Sequence, residues 1–144
     1  RSLRSVENGR WVETEVKVRY AETDAQGVVY HGSYVVWFEV GRTEYCDAAG
    51  YPYARMESEG VNIVVSDLAA RFRRPARAGD TVRVETRLAG LRSRGCTFAY
   101  RVVLPDGSVA VEGETIHLFV DRATGRPTAV PEAVRAALSA FASS

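Results

Sequence analysis

Residues 14–22, "TEVKVRYAE", alternate: Val16, Val18 and Tyr20 fall on one side, and Glu15, Lys17 and Arg19 on the other. Period two predicts a half-buried strand. "DAQG" at 24–27 interrupts the alternation as a turn. Beyond it Tyr34, Trp37, Phe38, Gly41, Tyr45 and Ala48 recur at the three-and-four spacing of one helical face. Val35, Val36 and Val40 widen the stripe, so a helix over 32–49 is expected to be covered on most sides. Gly50 supplies a left-handed cap with Pro52 close behind.

The rest reads as extended chain until the last segment. "VNIVVSDLAARFRRPA" is one long run. "DTVRVETRLAGL" turns Val82, Val84 and Leu88 inward, and "CTFAYRVVL" does the same with Phe98, Tyr100, Val102 and Leu104. "PDGS" at 105–108 is a hairpin turn, because Asp-Gly supplies its unusual backbone angles. "VAVEGETIHLFV" returns with Glu112 and Glu114 outward, "DRATGRP" turns again, and "PEAVRAALSAF" is a short helix with Pro131 at its first position. One strand, one apolar helix and four consecutive strands predict an α+β protein: an antiparallel sheet of about five strands wrapped round a single helix.

Composition narrows the picture. At 144 residues the chain is one domain over 1–144, long enough to bury a core without staples. A net charge of +1 offers no basic excess for neutralising phosphates, so nucleic acid is not an expected partner. Cys46 and Cys96 lack a CxxC spacing and read as reduced, buried thiols of a cytoplasmic protein. No apolar run reaches the roughly 20 residues of a membrane span, and no signal-peptide hydrophobic region opens the chain. Residues 1–10, "RSLRSVENGR", read as a trimmed or disordered end and receive no role. Nucleotide-binding glycine patterns are absent, which leaves NTPase and dinucleotide chemistry without support.

Asp24 and His31 flank the predicted passage from strand to helix. A helix start presents unpaired backbone N–H groups and the positive end of the macrodipole, which suit a carbonyl oxygen becoming an oxyanion. A nearby carboxylate then attacks or activates water, with neither a metal nor a serine triad required. Equally, Asp in a "TDAQG" turn caps that turn through its own side chain, and a lone His at a helix start packs or hydrogen-bonds. Residue chemistry alone does not separate an enzyme from a scaffold.

The pattern as a whole does more. "VRYAETDAQGVVYHGSYVVWFEVGRTEY" resembles the signature of the hotdog-fold acyl-CoA thioesterases, in the 4-hydroxybenzoyl-CoA thioesterase and YbgC-like branch. Arg19, Asp24, Gly27, Val29, Tyr30, His31, Tyr34, Glu39 and Arg42 carry the likeness, and "RFRRPARAGD" resembles the family's strand-crossing element through Pro75, Ala76 and Asp80. The resemblance covers about Glu15 to Asp121 and implies a role for each matching residue. Asp24 becomes nucleophile or general base. The His31 N–H polarises the thioester carbonyl, with the His31 imidazole and Tyr20 as further catalytic candidates. Gly27 allows close chain approach, while Tyr30, Tyr34 and Trp37 shape the acyl site, simple core packing being the competing role for Tyr34 and Trp37. Arg92 and Arg94 in "LRSRG" are the candidate contacts to coenzyme A. The resemblance further implies a homodimer at minimum, with a homotetramer expected, and no cofactor or metal beyond the CoA of the substrate. The expected acyl group is short-chain aliphatic, with aryl second. A hotdog dehydratase of hydroxyacyl thioesters, and a non-catalytic scaffold binding acyl-CoA or acyl carrier protein, are the alternatives.

Overall fold

The computed structural model describes residues 9–144. Strand β1 (Trp11–Lys17) leads through a 3-10 turn at Tyr20–Glu22 to helix α1 (His31–Ala48). A short helix α2 (Tyr53–Ser58) follows, then β2 (Val61–Phe72), β3 (Thr81–Leu91), β4 (Gly95–Val103), β5 (Val109–Asp121) and helix α3 (Glu132–Ser143). The strands form one antiparallel sheet in the order β1-β3-β4-β5-β2. This is the expected strand–helix–four-strand order, and α1 lies against the inner face of the sheet.

Periodicity explains the packing. The three-and-four positions Tyr34, Trp37, Phe38, Gly41, Tyr45 and Cys46 are the buried face of α1. They meet the inward alternates of the strands, among them Val82, Val84, Leu88, Phe98, Tyr100 and Phe119, all buried. Phe38 stacks on Tyr100 with ring centroids 4.4 Å apart. Gly41 lets the helix approach β3 closely, since a Cβ there would strike Thr86 Oγ1 and lie 3.0 Å from Val84 Cγ1. Both cysteines are free and buried, and burial pushes the Cys46 thiol up to about 12. Inside the sheet Tyr100 OH, Thr115 Oγ1 and His117 Nε2 form a buried hydrogen-bonded line, with distances of 2.6 and 2.7 Å.

Several expectations need correction. The alternation of β1 does not carry Tyr20 inward: pairing with β3 ends at Lys17–Thr81, the chain turns, and Tyr20 is 84% exposed. Helix α2 was not foreseen, and Pro131 is the N-cap of α3 rather than its first helical residue. Of the expected disordered end at 1–10, residues 1–8 lie outside the described residues. Arg10 is placed, donating its N–H to the Ala142 carbonyl at 3.2 Å and stacking its guanidinium over Phe141. Finally, α1 is not covered on most sides within one chain. Val35 and Val36 stay exposed, as do Val65, Leu68 and Phe72 of the edge strand β2.

Candidate active site

After β1 the chain makes two tight turns, and short polar residues dictate both. Asp24 Oδ1 accepts the N–H groups of Gln26 at 2.8 Å and Val28 at 3.4 Å, the side-chain turn that Asp is suited to make. Gly27 closes the turn with φ of 79°, a backbone region that favours glycine. The turn-capping role of Asp24 is therefore present, and it engages one carboxylate oxygen. Oδ2 has no hydrogen bond among the described residues. The turn is strapped to the β2–β3 crossing by a bridge between Val28 and Arg77 and by the Val29 N–H, which donates to the Ala76 carbonyl at 2.8 Å.

Helix α1 begins at His31 with extended Tyr30 as its N-cap, and no side chain of the described residues caps it. In the first turn Ser33 N–H turns back to the Tyr30 carbonyl at 2.9 Å. The N–H groups of His31 and Gly32 have no partner within the helix, as helix geometry requires. They carry the positive end of an 18-residue macrodipole. The His31 ring stacks on Phe72, centroids 4.2 Å apart and planes 22° apart, so the end of β2 orients the imidazole. Beside it Tyr34 is buried, and its hydroxyl accepts the Ala76 N–H at 3.3 Å. Burial raises the Tyr34 pKa, which keeps the phenol neutral. A cleft of about 200 Å³ opens here, lined by Val28, Val29, His31, Tyr34, Phe72 and Arg74 among others.

The predicted residues separate into three groups. His31 and Tyr34 line the cleft; Asp24, Gly27 and Tyr30 do not, although the Asp24 turn adjoins it through the lining residue Val28, and Tyr30, 62% exposed, lies beside Gly32. Trp37 does not line the cleft: it is buried, and its indole Nε1–H donates to Glu22 Oε2 at 2.8 Å. Tyr20, on the outer turn, does not line it either. Arg92 and Arg94 sit at the other end of the sheet. The Arg94 carbonyl accepts the N–H of Phe119, which pairs with Ile63, whereas the cleft lies at the Phe72 end of β2. Within one chain they do not join the cleft.

Two residues at this end were missed in the sequence. Phe72 left no signal beyond closing a long apolar run. Glu22 left none either: it shares the parity of Val16, Val18 and Tyr20, but that alternation ends with β1 and already fails at the exposed Tyr20.

Residues 18–138 match the family model of the Thioesterase-like superfamily. The acyl-CoA thioester hydrolase YbgC of Escherichia coli O6:H1 is 32% identical over 125 residues, which cover 87% of this chain and 91% of that protein. Among solved structures, a hypothetical protein, TT1821, from Thermus thermophilus is 45% identical with a TM-score of 0.85, covering 90% of this chain and 98% of its own. The DHNA-CoA thioesterase of Staphylococcus aureus is 31% identical with a TM-score of 0.86, covering 90% of this chain and 89% of its own. With the strand order and the turn at the start of α1, this match over most of the chain makes the protein a hotdog-fold member of the thioesterase-like superfamily.

Proposed function

We propose that the protein hydrolyses acyl-CoA thioesters to a free acid and CoA. The observation that carries the reading is an uncapped helix start at a cleft whose lining residue Val28 belongs to the turn held by the Asp24 carboxylate. The thioester carbonyl oxygen rests on the N–H groups of His31 and Gly32, where charge developing on oxygen is stabilised without reorganisation. Asp24, through its second oxygen, attacks the carbonyl carbon or takes a proton from the attacking water. The C–S bond then breaks, and the His31 imidazole delivers a proton to the departing sulfur; on the direct-attack route water next cleaves the Asp24 mixed anhydride, which releases the acid and restores the carboxylate. Tyr20, exposed and not lining the cleft, acts only in the assembled enzyme. Gly27, Tyr30 and Tyr34 shape the entrance, and Trp37 acts from beneath it. The substrate is a short-chain aliphatic or an aryl acyl-CoA.

Thiol release from acyl-CoAs ranging from acetyl to palmitoyl, with benzoyl types added, tests this directly. Turnover on short-chain or aryl substrates is expected. Tight binding of acyl ligands without any thiol release would leave a scaffold instead.

The assembled enzyme is a homodimer at minimum, built on β2. Among the described residues, an edge strand whose inner face carries the exposed Val65, Leu68 and Phe72, together with the exposed Val35 and Val36 of α1, leaves ladder groups and apolar side chains without cover. Antiparallel pairing of two β2 strands sets the Val61 end of one beside the Phe72 end of the other. The turn carrying Arg92 and Arg94 belongs to the Val61 end, so the partner subunit brings its arginines toward this cleft. Guanidinium forks suit the phosphates of CoA. Leu68→Arg is expected to give a monomer that no longer turns over substrate. Light scattering reads the mass and distinguishes dimer from tetramer, and an active monomer would sink the shared site.

A further inference from the structure

Among the described residues, Glu22 is the one buried carboxylate, 8% exposed. Its Oε1 accepts the Arg19 N–H at 2.9 Å, while Oε2 accepts the Trp37 indole N–H at 2.8 Å and the Arg19 guanidinium at 3.3 Å. Its own carbonyl accepts the N–H of Tyr30 at 2.9 Å and the hydroxyl of Ser33 at 3.2 Å. Side chain and main chain thus grip α1 at two heights, the N-cap and first turn through Tyr30 and Ser33, the second turn through Trp37.

Burial opposes the charge on Glu22, but hydrogen bonds from the Arg19 N–H, Trp37 and the Arg19 guanidinium outweigh it and hold the carboxyl below its ordinary value. A residue needed only to fill this space would be apolar, since enclosing a carboxylate costs several kcal/mol of desolvation before its bonds repay it. The bonds of Glu22 lead somewhere specific. Two residues further on is Asp24, and the Tyr30 N–H bound to the Glu22 carbonyl is the last before His31 and Gly32.

We propose that Glu22 is a positioning residue for hydrolysis: it latches the Asp24 turn to α1 and so fixes the carboxylate relative to the N–H groups of His31 and Gly32. This rests on the thioesterase reading above. The side-chain grip on Trp37 is the tunable part: the carbonyl bonds to Tyr30 and Ser33 need no particular side chain at position 22, but they open more often once the side-chain grip is lost.

Glu22→Gln keeps the shape but replaces one acceptor oxygen by a donor, so Arg19 and Trp37 no longer both find an acceptor. Trp37→Phe removes the indole donor and leaves Glu22 in place. Each variant is expected to lower kcat roughly 10- to 100-fold, the scale of an ångström of misplacement. KM should stay within about twofold, because the contacts that hold the substrate are untouched. Hydrogen exchange supplies a readout independent of turnover. Amide protection at Val28 and Tyr30 should fall while the β4 amides keep theirs. Wild-type kcat in both variants, or unchanged protection at Val28 and Tyr30, would overturn the latch. A wild type that turns over no acyl-CoA would instead remove the hydrolysis reading, and exchange would still decide whether Glu22 holds the turn. Should Glu22→Gln fail to fold, Trp37→Phe decides the same question.

Discussion

Asp24→Asn is expected to fold and to release thiol from its best acyl-CoA roughly 10²- to 10⁴-fold more slowly than wild type, the range for loss of a positioned acid–base group. The substitution isolates chemistry because Asn keeps an Oδ1 in the same place. The bonds from the Gln26 and Val28 N–H groups to that oxygen persist, and Asn is as suited to this turn as Asp. Stability should therefore change by less than about 1 kcal/mol, the scale of one exposed hydrogen bond. What disappears is the charge on Oδ2 and with it nucleophilicity and basicity. Steady-state thiol release alongside thermal unfolding checks both halves. Full activity in the folded variant would keep the reaction and move the catalytic role elsewhere. A single turnover in heavy-oxygen water then divides the two routes: label in Asp24 supports an anhydride intermediate, and label confined to the product acid removes it.

Why the candidate site was legible as a turn and a helix start follows from where its residues lie. Asp24, Gly27 and His31 belong to one continuous stretch, and a turn followed by a helix start is a local event fixed by residue type and spacing. The helix itself was legible for the same reason, since Trp37, Phe38, Gly41 and Tyr45 are buried at the positions periodicity assigns. The strands announced themselves by alternation, and Val82, Val84 and Leu88 are buried as that pattern requires.

What escaped was non-local or too short. Six residues at Tyr53–Ser58 make fewer than two helical turns, so α2 leaves no periodic trace, and Pro52 and Gly50 mark the region as a turn. Tyr20 was misplaced because alternation in the sequence continues after the ladder with β3 has ended. Arg92 and Arg94 were candidate contacts to coenzyme A without a place relative to the cleft, because nothing in a sequence states strand order. Only the register of β5 against β2 puts them at the far end. The open side of α1 has a related cause: Val35 and Val36 are apolar, as a covered helix requires, but no element among the described residues covers them.

The remaining large effect concerns acid. His117 is buried on β5, opposite Cys96 of β4 and Val65 of β2, with the ring of Phe98 edge-on at 5.5 Å. Nε2 is bonded to Thr115 Oγ1, while Nδ1 is buried without a partner among the described residues. Burial first, and then the positive charge of Arg42 on α1, press its pKa from 6.5 down to about 4. Above pH 6.5 the imidazole is neutral both folded and unfolded, and it contributes nothing to the pH dependence. As pH drops below 6.5 the unfolded chain takes up the proton and the folded chain does not. Stability is therefore lost progressively, and the loss is complete once pH has fallen through about 4. The full loss is about 3 kcal/mol, a large share of the 5–15 kcal/mol of a typical domain. Denaturant unfolding at pH 7 and pH 4.5, at one protein concentration, should show wild type losing about 2–3 kcal/mol more than His117→Gln. Gln keeps a hydrogen-bonding group toward Thr115 but cannot titrate, so carboxylates common to both proteins cancel in the difference. Equal acid sensitivity in the two proteins would mean that the folded imidazole does take up a proton, with Nδ1 reaching solvent or a water inside the sheet.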